Sequence, residues 1–75
     1  MMKEYKYIVE DKHFGEVNWI RRTNDPKRAK KLLNDGVYDE SGYMFSGYYF
    51  GERIRTLYVN GKPATAEQIY HIEMA

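Results

Sequence analysis

Two histidines and two serines are the residues of this chain most able to take part in nucleophilic catalysis. Such catalysis needs a nucleophile, a base and usually a third group that orients the base. His13 falls in a predicted loop, and His71 lies near the C-terminus. Ser41 and Ser46 stand among glycine and aromatic residues, without the elbow motif that exposes a nucleophilic serine. The sequence therefore predicts that the protein is not an enzyme.

The carboxylates and histidines also offer little for metal chemistry. Adjacent carboxylates occur at Glu10-Asp11 and Asp39-Glu40, each at the predicted end of an element. Asp11 and His13 could give a metal ion two ligands, whereas a structural zinc site takes four. The chain has no cysteine, which excludes thiolate ligands and disulfides. We expect neither a metal site nor a cofactor.

Positive charge is concentrated in residues 21–31, RRTNDPKRAKK, although the formal net charge of the chain is only +1. The segment holds six of the twelve cations and one of the eleven acids, a local +5 against −4 elsewhere. It could neutralise the phosphates of a nucleic acid while exposed aromatic rings stack on bases. Alternatively, it is the solvated face of an amphipathic helix, and the pI of about 7.9 is lower than in dedicated nucleic-acid binders. The six cations are Arg21, Arg22, Lys27, Arg28, Lys30 and Lys31.

Residues 41–50, SGYMFSGYYF, form a near-perfect tandem of five residues. Side chains of a strand alternate between its faces, so equivalent positions of an odd repeat fall on opposite faces. Both faces of this strand would then be apolar, unless a bulge at Ser46-Gly47 shifts the alternation. A helix can cover only one of the two faces, so the other could contact a partner.

A turn at Gly51-Glu52 would pair this strand with residues 53–59. Two of the resulting pairs are apolar and are typical of a core, namely Tyr49 with Ile54 and Phe45 with Tyr58. The other two join an aromatic ring to an arginine, a combination that is enriched at binding hot spots. We predict that this second set is an exposed patch that binds a partner, with ordinary strand packing as the alternative. The predicted partner-binding residues are Tyr48, Phe50, Arg53 and Arg55.

Size and composition indicate one small domain over residues 1–75. A chain of this length buries only about 60–65% of the surface that it exposes when unfolded. No apolar run approaches the roughly 20 residues of a membrane span, and the N-terminus lacks the apolar stretch of a secretory signal. We expect a cytoplasmic protein that is not associated with a membrane.

Hydrophobic patterning predicts four strands and one long helix. In the second strand Val17 and Trp19 are expected on one face, and in the helix Ala29 and Leu33 fall on the same side. Asp25 suits the cap of this helix, because it can accept from the free N–H groups of the first turn. The predicted strands are residues 4–10, 16–22, 43–50 and 53–59, with a loop at 11–16 and a helix at about 26–35.

The C-terminal segment, residues 66–74, allows two interpretations. Thr65 and Gln68 have the spacing of a capping box, which favours a short helix. The alternation of Tyr70, Ile72 and Met74 with polar residues would instead fit a fifth strand. We prefer the helix, because the capping signal is local and specific.

These patterns predict an α+β domain of order β-β-α-β-β, in which the basic helix packs on one face of an antiparallel sheet of about four strands. We predict a small non-enzymatic protein-binding module, that is an inhibitor, adaptor or regulator that docks onto a larger protein. The alternative is a nucleic-acid-binding protein that uses residues 21–31. A homodimer could also form if residues 4–10 or 53–59 are edge strands that pair across a two-fold axis.

Overall fold

The computed structural model describes residues 4–34, 42–43, 47–50 and 52–75, and the side chains of residues 42–43 and 48–50 lie outside the description. Within these residues the chain forms an α+β arrangement of strands and two helices. The elements are β1 (Tyr7–His13), β2 (Glu16–Thr23), α1 (Pro26–Asn34), β3 (Gly42–Tyr43), β4 (Gly47–Phe50), β5 (Arg53–Val59), β6 (Lys62–Pro63) and α2 (Ala66–Glu73).

All described strand pairs are antiparallel, and the strands follow the order β2-β1-β5-β4-β3, with β6 paired to β5. The predicted fold class is confirmed, and the order of strands and helices roughly matches the prediction. The prediction of one continuous strand at residues 43–50 is wrong, because β3 and β4 are separate strands that pair antiparallel with each other. The prediction that residues 4–10 or 53–59 are edge strands is wrong, because β1 lies between β2 and β5, and β5 lies between β1 and β4. Among the described strands, β2 is the long one with a single neighbour.

The hydrophobic core lies between one face of the sheet and both helices. Alternate positions of β1 and β5 face this core, since side chains of a strand point to opposite faces in turn. Burying a valine, leucine or isoleucine side chain stabilises the fold by roughly 1.5–3 kcal/mol. The buried apolar residues are Val9, Ala29, Leu33, Leu57, Val59, Ala64, Ile69 and Ile72.

The first hairpin has a shorter turn than the sequence predicted. β1 continues to His13 and β2 starts at Glu16, so the loop expected at residues 11–16 is only the turn Phe14-Gly15. Phe14 has φ 54° and Gly15 has φ 81°. Two successive residues with positive φ form the tight turn whose twist matches that of antiparallel strands.

A β-bulge interrupts the pairing of β1 with β2. Asp11 lies opposite Trp19 and Lys12 lies opposite Val17, which leaves Asn18 as the extra residue. Val17 and Trp19 therefore do not share a face, contrary to the prediction. The bulge shifts the alternation by one residue, and it brings the Asn18 side chain to the carboxylate of Asp11.

Both helices begin as the sequence predicted. The Asp25 carboxylate accepts a hydrogen bond from the backbone N of Lys27 at 3.0 Å. At α2, Gln68 N donates to Thr65 Oγ1 at 3.2 Å, and Thr65 N donates to Gln68 Oε1 at 2.9 Å. This reciprocal pair is a capping box, and it rules out the alternative of a fifth strand at residues 66–74.

The register of β4 with β5 is confirmed, but the assignment of faces on β5 is wrong. Tyr49 pairs with Ile54, as predicted from a turn at residues 51–52. Ile54 and Tyr58 are only half-buried, however, whereas the alternate residues Arg55 and Leu57 are buried. The reason is that Arg55 has a buried carboxylate partner, Asp11, which the pattern of β5 alone does not reveal. The predictions about Phe45 and Ser46 fall on residues outside the described part of the chain.

Candidate functional site

One face of the sheet points away from both helices, and we call it the open face. Its residues follow from the register, because directly opposite residues of paired strands share a face. Val9, Leu57 and Val59 face the helices, so the residues that alternate with them face the other way. The open face consists of Ile8, Glu10 and Lys12 on β1, Val17, Ile20 and Arg22 on β2, and Ile54, Thr56 and Tyr58 on β5.

The open face combines apolar side chains with charges. Val17 and Ile20 are 53% and 38% exposed, which is high for aliphatic residues of a strand. A shallow groove of about 240 Å³ crosses the face and is lined by Ile8, Glu10, Ile20, Arg22, Tyr58 and Gly61. Glu10 forms an ion pair with Lys12, with 3.9 Å between Oε1 and Nζ. This arrangement can accept an apolar side chain while charged groups surround it.

Phe14 projects from the turn at one end of the same sheet. Its side chain is 68% exposed, and its backbone φ of 54° is in the left-handed region. That conformation costs a residue other than glycine roughly 1–2 kcal/mol. The ring centroid lies 4.6 Å from that of His13, and Phe14 N donates to the carbonyl of Glu52 at 3.0 Å. The chain thus holds a large aromatic side chain in a strained and exposed position.

The helix-facing side of the sheet contains a buried charge cluster, centred on Asp11. The Asp11 side chain is fully buried and accepts from Arg55 Nε at 2.9 Å and from Asn18 Nδ2 at 3.1 Å. Arg55 Nη1 also donates to the carbonyl of Leu32 in α1 at 3.1 Å. The cluster therefore connects β1, β2, β5 and the last turn of α1, which gives it a structural role.

Two further arginines and a tryptophan border this cluster. Arg53 Nε lies 3.8 Å from Asp11 Oδ1 and is a buried nitrogen without a hydrogen bond in the part of the chain that the structure describes. The guanidinium carbons of Arg55 and Arg21 lie 5.0 and 5.4 Å from the ring centroid of Trp19. These distances fit cation–π contacts, which stabilise by about 0.5–1 kcal/mol at an exposed site such as Arg21 and by about 2 kcal/mol at a desolvated one such as Arg55.

The predicted partner-binding patch is not an exposed surface as a whole. Arg55 is 4% exposed, so its expected exposure is wrong, because its charge is satisfied inside by Asp11 and Leu32. The Arg53 side chain is 34% exposed. The backbone of Tyr48 pairs with Arg55 and that of Phe50 with Arg53, as expected. The side chains of both aromatic residues lie outside the described part, and a binding role for them stays a prediction.

The basic residues at 21–31 are divided between different surfaces. Arg22 lies on the open face, whereas Arg21 lies on the side that carries the helices. Lys27, Arg28 and Lys31 are exposed on α1. Lys30 is half-buried, and its Nζ lies 3.5 Å from the carbonyl oxygen of Ala75. The segment therefore does not form one continuous cationic surface.

The candidate nucleophiles Ser41 and Ser46 lie outside the described part of the chain, and the described candidates for catalysis and metal binding do not form a cluster. His13 and His71 are both exposed, and Asp11 points into the buried charge cluster. Among the described residues no three histidine or acidic side chains lie close enough together to hold a metal ion. In the same residues, neither helix has the length and apolar character needed to cross a bilayer.

The pattern of each strand taken alone does not reveal the open face. Ile8 breaks the alternation of β1, and this exception was the available signal for an apolar residue on the polar side. Ile20 and Tyr58 join Ile8 only through the register of three strands. The sequence pattern does not single out Phe14, because it predicts a loop at residues 11–16 rather than a two-residue turn.

Comparison with known proteins gives no similarity to argue from. No protein-family model, no curated protein and no solved structure matches this chain. Its candidate function therefore depends on the geometry described above.

Proposed function

We propose that this protein is a small non-enzymatic module that binds a larger protein through its open face. The observation that supports the proposal is the set of apolar side chains on this face, on the side of the sheet opposite both helices. One side of an antiparallel sheet commonly faces solvent with polar residues. Val17 and Ile20 are exposed on this face instead, and Ile8, Ile54 and Tyr58 are half-buried.

The distribution of side chains on the open face supports this proposal. Such interfaces have an apolar centre, enriched in aromatic residues and arginine, and a polar rim. Here the apolar side chains of Ile8, Ile20 and Tyr58 line the groove together with the charged side chains of Arg22 and Glu10. Tyrosine and arginine are the residue types that most often dominate binding energy. We assign the main contacts to Tyr58 and Arg22.

Phe14 supports the same proposal independently. A strained backbone conformation persists when the rest of the structure enforces it, and such residues cluster at functional sites. Asparagine would occupy this turn position with less strain, as Asn60 does at φ 53° before Gly61. An exposed phenylalanine at this position is explained if its ring contacts a partner.

Capture of a partner from nuclease-treated lysate of the source cells tests the proposal. We would compare the wild-type chain with Ile20→Lys, which adds a charge to the open face, and with Lys31→Glu on α1. Both positions are exposed, so both variants should fold. We expect Ile20→Lys to abolish capture and Lys31→Glu to retain it. Loss of the captured protein only with Lys31→Glu would contradict the proposal.

A second candidate function, nucleic-acid binding, is favoured by the exposed cations of α1. Lys27, Arg28 and Lys31 lie on the solvent side of one short helix. They would bind phosphates without reading sequence, so affinity should fall steeply with salt. Fluorescence anisotropy with labelled single-stranded and double-stranded oligonucleotides tests this function. Binding that is lost in the Lys27→Glu, Lys31→Glu double variant would favour it over protein docking.

A further inference from the structure

The outer edge of β2 is available for pairing, because β1 is the neighbour of this strand among the described elements. Edge strands present unpaired N–H and C=O groups that can pair with another chain. We propose that β2 pairs antiparallel with β2 of a second copy of this chain, with the two-fold axis at the bulge, between Asn18 and Trp19. The resulting homodimer goes beyond the docking function and does not depend on it.

The bulge makes the backbone groups of Val17 and Ile20 point to the same edge of the sheet. In a two-residue hairpin the residues that flank the turn, here His13 and Glu16, form a hydrogen-bonded pair. The N–H and C=O groups of Val17 therefore point to the outer edge. Asp11 opposes both Asn18 and Trp19, so the alternation resumes one residue later, and the N–H and C=O groups of Ile20 also point to the outer edge. The backbone groups of Val17 and Ile20 thus both face this edge, although the two residues are three positions apart.

A contact on this edge agrees with that assignment. The carbonyl of Ile20 accepts a hydrogen bond from Nη1 of Arg21 at 3.2 Å, within the same strand. A side chain can reach this carbonyl because it points away from β1. In the dimer, the backbone of the second copy would replace Arg21 as the donor, and the guanidinium would be released to form a new pair.

The side chains of β2 are complementary to themselves around the bulge. On either side of it come first Val17 and Ile20, on the open face, and then Glu16 and Arg21, on the helix-facing side. An axis at the bulge places Val17 opposite Ile20 of the second copy, and Glu16 opposite Arg21 of the second copy. Each pair joins apolar with apolar or acid with cation, and its two members share a face. Cross-strand pairs of these kinds stabilise a sheet.

Other registers of two β2 strands are less favourable. An axis at Arg21 or Arg22 would place a guanidinium opposite its own copy, and like charges in direct opposition destabilise a sheet. An axis at Trp19 would oppose Val17 to Arg21, whose side chains lie on opposite faces. The register centred on the bulge satisfies both the faces and the charges.

Charge reversal tests the proposed dimer. Sedimentation equilibrium over a range of concentrations should show a monomer–dimer equilibrium for the wild-type chain. Glu16→Arg or Arg21→Glu alone should weaken it by roughly tenfold, because both symmetric ion pairs become repulsive. The double variant should restore it, and Arg22→Glu is the control outside the pairs. A wild-type chain that stays monomeric up to its solubility limit, or a double variant as weak as the single ones, would overturn the proposal.

Cysteine cross-linking tests the register in this cysteine-free chain. In the double variant Val17→Cys, Ile20→Cys, the cysteine at position 17 of one copy faces the cysteine at position 20 of the other copy. Oxidation should therefore give a covalent dimer. The two cysteines of one chain are three residues, roughly 10 Å, apart along a strand, which is too far for a disulfide. The matched variant Val17→Cys, Arg22→Cys fits a register shifted by two residues and should cross-link poorly. Equal cross-linking of the two variants, or none in either, would contradict the proposed register.

Discussion

Arg55 Nε donates to Asp11 Oδ1 at 2.9 Å, and the two side chains are 4% and 0% exposed. This ion pair joins neighbouring central strands, in which Asp11 and Arg55 are directly opposite each other. A second donor of Arg55, Nη1, reaches the carbonyl of Leu32 in α1. The pair therefore fixes the last turn of the helix against the sheet. Buried pairs of this kind add little net stability, but loss of one partner leaves an uncompensated charge.

Asp11→Asn is predicted to destabilise the fold strongly. The substitution keeps the size of the side chain but leaves the buried guanidinium of Arg55 without a counter-charge. We expect a loss of about 3–5 kcal/mol in the free energy of unfolding, measured by urea denaturation. Glu10→Gln is the matched control, because its ion pair with Lys12 spans 3.9 Å on the open face. It should cost less than about 1 kcal/mol. Equal losses in the two variants would contradict a structural role for the buried pair.

Substitutions of Arg53 and Arg55 are predicted to differ sharply in their effect on the free energy of unfolding, although both residues border Asp11. Arg55→Met removes the hydrogen-bonded partner of a fully buried carboxylate, so it should cost about 3–5 kcal/mol. Arg53→Met removes a side chain that is 34% exposed and 3.8 Å from the carboxylate, and it should cost about 1 kcal/mol or less. Urea denaturation of both variants gives the comparison. If Arg53→Met proved the more damaging, the assignment of the primary pair would be wrong.

Phe14→Asn is predicted to stabilise the free protein. Asparagine tolerates the left-handed backbone of this turn, and the ring of Phe14 is 68% exposed, so little burial is lost. We expect the free energy of unfolding to rise by about 0.5–1 kcal/mol. Phe14→Ala is the control, because it removes the ring but keeps the strain. A stability of Phe14→Asn at or below that of Phe14→Ala would argue against strain at this turn.

Thr65→Ala is predicted to weaken α2, whose residues Ile69 and Ile72 are buried in the core. The substitution removes the acceptor of the 3.2 Å hydrogen bond from Gln68 N. Loss of such a cap costs about 1 kcal/mol, which thermal unfolding followed by circular dichroism would detect. Thr65→Ser retains the hydroxyl and should unfold close to the wild-type temperature. If Thr65→Ser and Thr65→Ala lowered the unfolding temperature equally, loss of the capping hydroxyl would not explain the destabilisation.

The features that the sequence predicted correctly depend on local chemistry. Asp25 and Thr65 cap helices through atoms two or three residues away, so the signal and its effect lie in one short stretch. The register of β4 with β5 is the one that the sequence signal for a turn at residues 51–52 predicts. In these places the residues that carry the sequence signal and the residues that they position lie only a few peptide bonds apart.

The features that could not be predicted depend on residues far apart in the chain. Burial of Arg55 requires Asp11, which precedes it by 44 residues, so the pattern of β5 alone places its arginines in solvent. The Asn18 bulge changes the alternation of β2 and so determines the side to which Val17 points. The open face is assembled from three strands, and its apolar residues belong together only once the register is known.

Site-specific photo-crosslinking in the source cells tests the docking surface most directly. A photoreactive phenylalanine would replace Tyr58 on the open face in one variant and Arg28 on α1 in another. We predict that irradiation links the variant at position 58 to one larger protein and leaves the variant at position 28 without that adduct. An adduct from position 28 alone, or no protein adduct from position 58, would contradict the account.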